Sequence, residues 1–596
     1  MAPRLCSLPT ALLVVLVAPL VGCVHEGSDF QLVVGLPQAQ ESLDALEQLF
    51  WDVATPDSPE YLHHRSIETL SHFTEAGSEI IAATEEWLKK LGASSTEVSP
   101  LRDVVVGRFE NHYDAPGISN MKMSGNSVSS RSGSLLWTAS GLPHKSNHPY
   151  DFDFVLRKEL SASQPLLSRG RGGSRSSAQP VGHNHLFEAP DEGYTVENMK
   201  KALGVPVDLQ ASNAASLQMV WGPGTFGYSP AELAEFAREQ CPLLNLTRVK
   251  FDTKNHGVAG GDNFGEGSLD TRMIASFGLN IETLVSNTNT STSTEEGNGF
   301  GQAFLDFTVE LASRKIVPNV LSLSLGSLSA ASCDLMCDKA VERGFDRQDC
   351  ENYFQTQRQV CMYLTQKQVR RINTAMMILG LRGVSIFGSS GDGGSHFSFG
   401  PYSGFSKLVD ALNEIACEYQ FPVYPTGSPY IVSVGGTEWK DGDSSKPIAW
   451  SRTGGGFSWQ FDMPAHQVQT VTNYLNTAQG LPPGSSFNAR GRAYPDISDV
   501  AVQGTSQSAP LIAGLFSLLI DHRLNKGLPP LGYVAPRLWK EAEAAASSSI
   551  PLMEDVVEGS TNLSCSNGFQ SSEGWDPVTG WGRPKWDGLV HYLGSD

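Results

Sequence analysis

The stretch Val384-Ser385-Ile386-Phe387, followed almost directly by Ser389-Ser390-Gly391-Asp392-Gly393-Gly394, decides how the chain is read. A short β-branched and aromatic run ending in a Gly-rich turn is a buried strand that stops at an acid. The same texture recurs in Val320-Leu321-Ser322-Leu323-Ser324-Leu325 and in Tyr430-Ile431-Val432-Ser433-Val434, with helical stretches between the runs. Buried strands alternating with helices predict an α/β fold with a central, mainly parallel sheet beyond Tyr194. Catalytic groups in such folds collect where strands end. Asp392 stands at such a place and, if protonated, can donate a hydrogen bond to a tetrahedral oxyanion. An Asx-turn would explain the same residue without any chemistry.

Two other clusters share that character. Gly504-Thr505-Ser506-Gln507-Ser508-Ala509-Pro510 runs into the apolar helix Leu511 to Ile520. A serine at the mouth of a buried helix gains a fixed hydroxyl near amides that favour developing negative charge; a plain Ser/Thr helix cap has the same look. Glu266-Gly267-Ser268-Leu269-Asp270 places two acids at i and i+4, on one helix face, where they can share a proton. Two close carboxylates cannot both ionise cheaply, so one is raised and remains useful as a base in acid, where imidazole is protonated. Most isolated pairs of this spacing are solvated helix faces, and only the combination is informative.

The frame around these clusters is large. A chain of 596 residues is too long for one ordinary domain, and 40% apolar content supplies material for substantial cores. A formal charge of −20 argues against nucleic acid as a partner and weakly against anionic membranes. Arg4 precedes an apolar run from Ala11 to Val21, too short to span a bilayer and suited to a secretory signal ending near Cys23. Leu20-Val21-Gly22-Cys23 also fits a bacterial lipoprotein box, but sequons at Asn245, Asn289 and Asn562 favour a glycosylated secretory product. Cys333, Cys337, Cys350 and Cys361 crowd into one segment and read as two local disulfides. A zinc site is the rival there, without a CxxC repeat or a histidine to support it. No later run is long and apolar enough to predict a membrane span.

Along the chain, Ser78 to Leu91 has helical spacing with Gly92 as its stop, and Val104-Val105-Val106 reads as a strand, so the leader is predicted to be α+β. The run Ser168-Arg169-Gly170-Arg171-Gly172-Gly173-Ser174-Arg175 cannot bury a core and is expected to be a flexible processing linker. The expected organisation is a signal peptide over 1–23, a leader domain over 24–167, the linker over 168–190 and the α/β domain over 191–596. His63 and His64 are candidates for sensing acidification.

Taken in order, the three clusters resemble the sedolisin (serine-carboxyl peptidase) family. Ser58-Pro59-Glu60-Tyr61-Leu62, Glu86-Trp87-Leu88-Lys89-Lys90-Leu91-Gly92-Ala93, Gly435-Gly436-Thr437, Gly454-Gly455-Gly456-Phe457-Ser458, Gly491-Arg492-Ala493-Tyr494-Pro495-Asp496, Pro529-Pro530-Leu531-Gly532 and above all Gly574-Trp575-Asp576-Pro577-Val578-Thr579-Gly580-Trp581-Gly582 are similar to that family's motifs. The resemblance implies a subtilisin-like catalytic domain with Ser506 as nucleophile, Glu266 as base, Asp270 orienting Glu266, and Asp392 as oxyanion acid. It also implies one structural Ca²⁺ held by Asp555 and Asp576 with the carbonyls of Val556, Ser572 and Gly574, an all-oxygen set suited to a hard cation. The implied activity is release of tripeptides from the N-termini of unfolded polypeptides in an acidic compartment, with the propeptide as an internal inhibitor. Endopeptidase action and a catalytically impaired homologue are the alternatives. The latter arises because only seven residues, Ile497 to Gln503, separate Asp496 from Gly504, where relatives carry a longer hairpin. A subtilisin proper is the remaining rival, with Asn255-His256-Gly257 superficially like its histidine motif; His256 is read instead as a turn residue.

Overall fold

The computed structural model describes residues 29–110, 152–160, 193–224, 226–252, 264–288, 299–356, 360–396, 399, 406–563 and 565–595. The expected signal segment, the 168–190 linker and His256 lie outside the described residues.

The leader builds an antiparallel sheet in the order Ser95–Val98, Val104–Phe109, Asp29–Gly35, Phe154–Leu160. The Ser78–Lys90 helix covers it, ending one residue short of the sequence expectation, with Gly92 at φ +101° turning the chain away. Phe30, Leu32, Val34, Leu88, Val105 and Phe109 form a core private to this unit. The Gln40–Ala54 helix faces the other way: Leu46, Phe50 and Val53 belong to the same apolar core as the larger C-terminal unit. Phe50 packs against Tyr430 and Tyr533, with ring centroids 5.5 and 5.1 Å apart. Buried Asp103 and Arg371 pair at 2.9 Å across the same junction, and Tyr430 donates its hydroxyl to Glu47 at 2.8 Å.

The C-terminal unit holds an eight-stranded sheet. Its order is Pro447–Ala449, Val432–Trp439, Ser385–Ser389, Val320–Leu323, Leu217–Pro223, Glu282–Thr288, Val249–Phe251, with Ile497–Val500 also paired to Val432–Trp439. All pairings are parallel except that of Pro447–Ala449. The three runs read as buried strands are thus consecutive neighbours, although the third begins at Val432 rather than Tyr430. The Thr505–Asn525 helix is buried along most of its length against this sheet and against the Phe264–Phe277 helix. A Cβ on Gly514 would lie 2.7 Å from Ile274 O and from Gly278 N, so only glycine permits this approach. Gly514 and Ile274 stand equally far along from Ser506 and Glu266, so the two helices run side by side in one direction. Their N-terminal ends meet.

The short Asp496–Gly504 connection closes without a hairpin. Ile497–Val500 lies on the edge of Val432–Trp439, and the chain turns into the helix through a Gly504 N–H bond to Ala501 O of 2.8 Å. In the cysteine-rich segment the bridges are Cys333–Cys361 and Cys337–Cys350, with a third, Cys417–Cys565, elsewhere. They enclose a satellite core with Met336, Tyr353, Phe399 and Leu412. Among the described residues no helix is long and apolar enough to cross a membrane.

Candidate active site

Four ends converge at the site, those of two strands and the N-termini of two helices. Gly504, at φ +92°, swings the chain so that Thr505 begins the buried helix, a turn that other residues adopt only with strain. The Thr505 N–H and Oγ1–H donate to Asp392 Oδ1 at 2.9 and 2.7 Å, and the Gly391 N–H donates to Thr505 Oγ1 at 3.1 Å. This ties the loop after Ser385–Ser389 to the helix mouth. Both bonds go to Oδ1, and the other carboxyl oxygen, Oδ2, accepts neither. A Cβ on Gly504 would stand only 2.7 Å from that Oδ2.

Ser506 follows as the second residue of the helix. Its Oγ donates to Ser324 O at 3.3 Å, while Ser324 Oγ donates to Ser506 O at 3.4 Å, so the end of Val320–Leu323 braces the serine. Both bonds are long, and the one made by the Ser506 hydroxyl holds it loosely.

Glu266 and Asp270 project from the Phe264–Phe277 helix as their spacing requires. Glu266 keeps partial exposure as a residue, yet its Oε1 is shut off from solvent; Asp270 is wholly buried, carboxyl included. Burial raises the Glu266 pKa, the Ser506 hydroxyl facing it pulls it part of the way back, and the charge of Asp392 adds to the rise. Burial raises Asp270 further, the Glu266 charge adds to it, and the Ser324 hydroxyl opposes it. Titrating together, the two retain one proton above the range in which isolated carboxyls lose theirs. A singly charged pair beside a serine hydroxyl can take up that hydroxyl's proton without an imidazole.

The four residues singled out in the sequence therefore lie in one cluster. The sequence reading did not include Ser324, Thr505 or the Gly391 amide. Alternation in Ser322-Leu323-Ser324 was the available signal for Ser324, since it points a serine to the same face as Ser322. The other two are visible only once the loop and the helix mouth are in contact.

The five residues expected around Ca²⁺ lie in a separate C-terminal loop. Asp576 is wholly buried; Oδ1 accepts the Val578 and Thr579 N–H groups at 3.0 and 2.9 Å, and Oδ2 accepts that of Ser572 at 2.8 Å. Asp555 Oδ2 accepts the Gly574 N–H at 2.7 Å. Burial pushes Asp576 up to about 7 despite these bonds, and the Asp555 charge adds to the rise. The N–H groups of Ser572 and Gly574 thus tie the carboxyls of Asp576 and Asp555 to one stretch of this loop.

Residues 20–110 match the family described as "Pro-kumamolisin, activation domain". Tripeptidyl-peptidase 1 of Homo sapiens is 27% identical over 599 residues, covering 93% of this chain and 90% of the relative. The Bos taurus protein of the same name is 31% identical over 392 residues, covering 61% of this chain and 58% of the relative. A Pseudomonas sedolisin, described as a serine-carboxyl proteinase in complex with pseudo-iodotyrostatin, is 21% identical with a TM-score of 0.44, covering 64% of this chain and 94% of the other. The likeness of its leader to an activation domain, and of nearly the whole chain to tripeptidyl-peptidase 1, supports a serine-type peptidase of the sedolisin family, made as a zymogen.

Proposed function

We propose that the protein acts in acid, removing tripeptides from the N-termini of unfolded polypeptides. The arrangement of Ser506 against the buried Glu266–Asp270 pair carries this reading. Ser506 Oγ attacks the scissile carbonyl carbon while its proton passes to Glu266; Asp270 holds the pair's second proton and keeps Glu266 oriented. The oxygen gains negative charge and is stabilised by a proton on Asp392 Oδ2. Glu266 then gives its proton to the departing amine, leaving an acyl group on Ser506. Water releases that group by the same steps in reverse. The peptide is bound extended near Gly454-Gly455-Gly456, whose N-terminal glycine donates to Gly391 O at 2.7 Å, beside Asp392.

In the same reading, residues 1–23 are a secretory signal, 24–167 the inhibitory activation domain, 168–190 the processed linker and 191–596 the peptidase. Asn245 and Asn562 are exposed, as glycan acceptors must be. Asp555, Asp576 and the carbonyls of Val556, Ser572 and Gly574 would hold one Ca²⁺, which would supply the counter-charge this loop otherwise lacks. An acidic organelle such as the lysosome, or secretion, is the fitting location.

One long peptide, incubated with acid-treated protein and followed by mass spectrometry, tests the activity. A ladder stepping by three residues supports the reading, internal cuts would make the protein an endopeptidase, and an uncut peptide would overturn it. Labelling of Ser506 by a fluorophosphonate probe tests the nucleophile independently.

A further inference from the structure

Outside the Ser506 cluster, three segments meet around sulfur. His396 lies on the loop that begins after Ser385–Ser389, four residues beyond Asp392. Cys417 sits in the last turn of the Ser406–Tyr419 helix, and Cys565, its disulfide partner, in a C-terminal loop. The His396 imidazole and the two sulfurs place ligand atoms within 4.8 Å of one another, and His396 Nε2 stands 3.6 Å from Cys417 Sγ. A tetrahedral zinc centre, with Zn–S of about 2.3 Å and Zn–N of about 2.0 Å, separates its sulfur and nitrogen by about 3.5 Å. The imidazole and one sulfur already stand near that spacing. The bridge sulfurs would need to part by only about 1.7 Å, from bonded contact to the sulfur–sulfur edge of the same tetrahedron.

Hydrogen bonds that do not involve sulfur hold the three segments together. The Asn413 side chain, one turn before Cys417, bonds both the N–H and the carbonyl of Phe399, at 2.9 and 3.0 Å, and so ties down the His396 loop. The Asn567 side chain donates to Cys417 O at 3.2 Å, and its carbonyl accepts from the Gln420 side chain at 2.7 Å, fastening the Cys565 loop to the same helix. Between the two loops, the Ser395 N–H donates to Thr561 O at 3.1 Å. Opening the bridge therefore leaves its sulfurs close to each other and to His396. His396 and Cys565 are buried, while half-buried Cys417 gives a reductant and an ion a way in. The four cysteines of the other two bridges are all buried.

We propose that His396, Cys417 and Cys565 form a zinc site that becomes available when the Cys417–Cys565 bridge is reduced. One dithiol, or two monothiols, supplies two electrons: the S–S bond breaks, the reductant leaves as its own disulfide, and both cysteines become thiols. Zn²⁺ then displaces their two protons, taking His396 Nε2 as its third ligand and water as its fourth. Two sulfurs and a nitrogen suit a borderline-soft ion, whereas Ca²⁺ and Mg²⁺ take oxygen. Because the ion competes with protons for both thiolates, the site fills near neutral pH and empties in acid. The assignment does not depend on the peptidase reading, and no residue of the Ser506 cluster belongs to it.

The test uses the full chain, reduced by a modest excess of dithiothreitol and freed of it by anaerobic gel filtration. Alkylation with mass spectrometry verifies that Cys417 and Cys565 carry the new thiols, and circular dichroism that the fold persists. Titration with Co²⁺ at about pH 7, followed through the thiolate-to-cobalt charge-transfer absorption and then by displacement with Zn²⁺, reads the site. Reduced protein should bind one ion per chain, oxidised protein none, and the signal should fade on acidification to about pH 5. His396→Ala should weaken binding about a hundredfold or more, since even the outer partners of zinc ligands are worth about 10- to 100-fold. Cys417→Asp puts a carboxylate in place of one sulfur and leaves no bridge to open; it should bind Co²⁺ without reductant, and it carries the test if the reduced chain unfolds. No uptake by a folded reduced chain, equal uptake before reduction, or uptake that His396→Ala leaves unchanged would overturn the site. So would a folded Cys417→Asp variant that takes up no ion.

Discussion

Replacing His64 by asparagine should make activation less sensitive to acid, and the size of the effect follows from where the ring sits. His64 belongs to the leader, but its imidazole is held between two glycines of the C-terminal unit. A Cβ on Gly383 would lie 3.3 Å from His64 Cδ2, and one on Gly532 would lie 2.7 Å from Cε1. Its Nε2 bonds to Pro530 O at 2.8 Å, and the adjacent Arg65 N–H donates to Leu381 O at 2.8 Å. Burial lowers the His64 pKa, the Pro530 carbonyl partly opposes this, and the charges of Arg523 and Arg65 lower it further. A freed leader restores the ordinary value of about 6.5. Above that pH the ring is neutral in both states and docking is at full strength. Below it the free leader binds a proton that the docked leader resists, so docking weakens as pH falls. The loss is up to about tenfold, or 1.4 kcal/mol, per pH unit until the docked ring also titrates. Asparagine keeps a donor for Pro530 O and cannot take up a proton. The rate at which the cleaved form appears on gels after a shift from pH 7 to a series between about 6 and 4 reads the difference. The variant's profile should lie at lower pH and rise less steeply than that of wild type. Superimposable profiles would refute the role of this ring. His63, exposed to solvent, should not shift the profile when replaced.

Other outcomes follow from the site. Glu266→Gln should cost about 10² to 10⁴ in kcat, the usual worth of a general base, with the fold retained by circular dichroism; hydrolysis at the wild-type rate would remove Glu266 from the mechanism. Gly504→Ala should lower kcat far more than it raises KM, because the new methyl group presses on Asp392 Oδ2 and the φ of +92° strains any other residue. Chelation at neutral pH should lower the melting temperature of the full chain by several degrees, with recovery on adding Ca²⁺. Asp576→Asn should abolish that response, and an unaffected melting curve would discard the site.

Much of the cluster of Ser506, Glu266, Asp270 and Asp392 could be read in the sequence because each part is local. The Glu266–Asp270 spacing fixes a shared helix face, Gly504-Thr505-Ser506 announces a helix mouth, and Asp392 follows its strand within a few residues. What could not be read is contact between distant segments. Nothing in the composition of 497–503 indicates that four residues on a sheet edge and one turn suffice to deliver Ser506. The start of Val432–Trp439 was misjudged for a related reason: Tyr430 has strand-like chemistry, but it spends its ring and hydroxyl on the leader's Phe50 and Glu47.

The leader's helix and the C-terminal unit are cemented by a common apolar interior, and this bears on what cutting the chain accomplishes. While covalent, the leader faces its seat at an effective concentration in the millimolar range. A nick in the linker removes that tether but leaves Phe50 against Tyr430 and Tyr533. The nicked protein is therefore a two-piece complex that can still re-form on return to neutral pH. Activation becomes one-way only when the liberated piece is diluted or digested, so free leader supplied in trans at neutral pH should silence the mature enzyme.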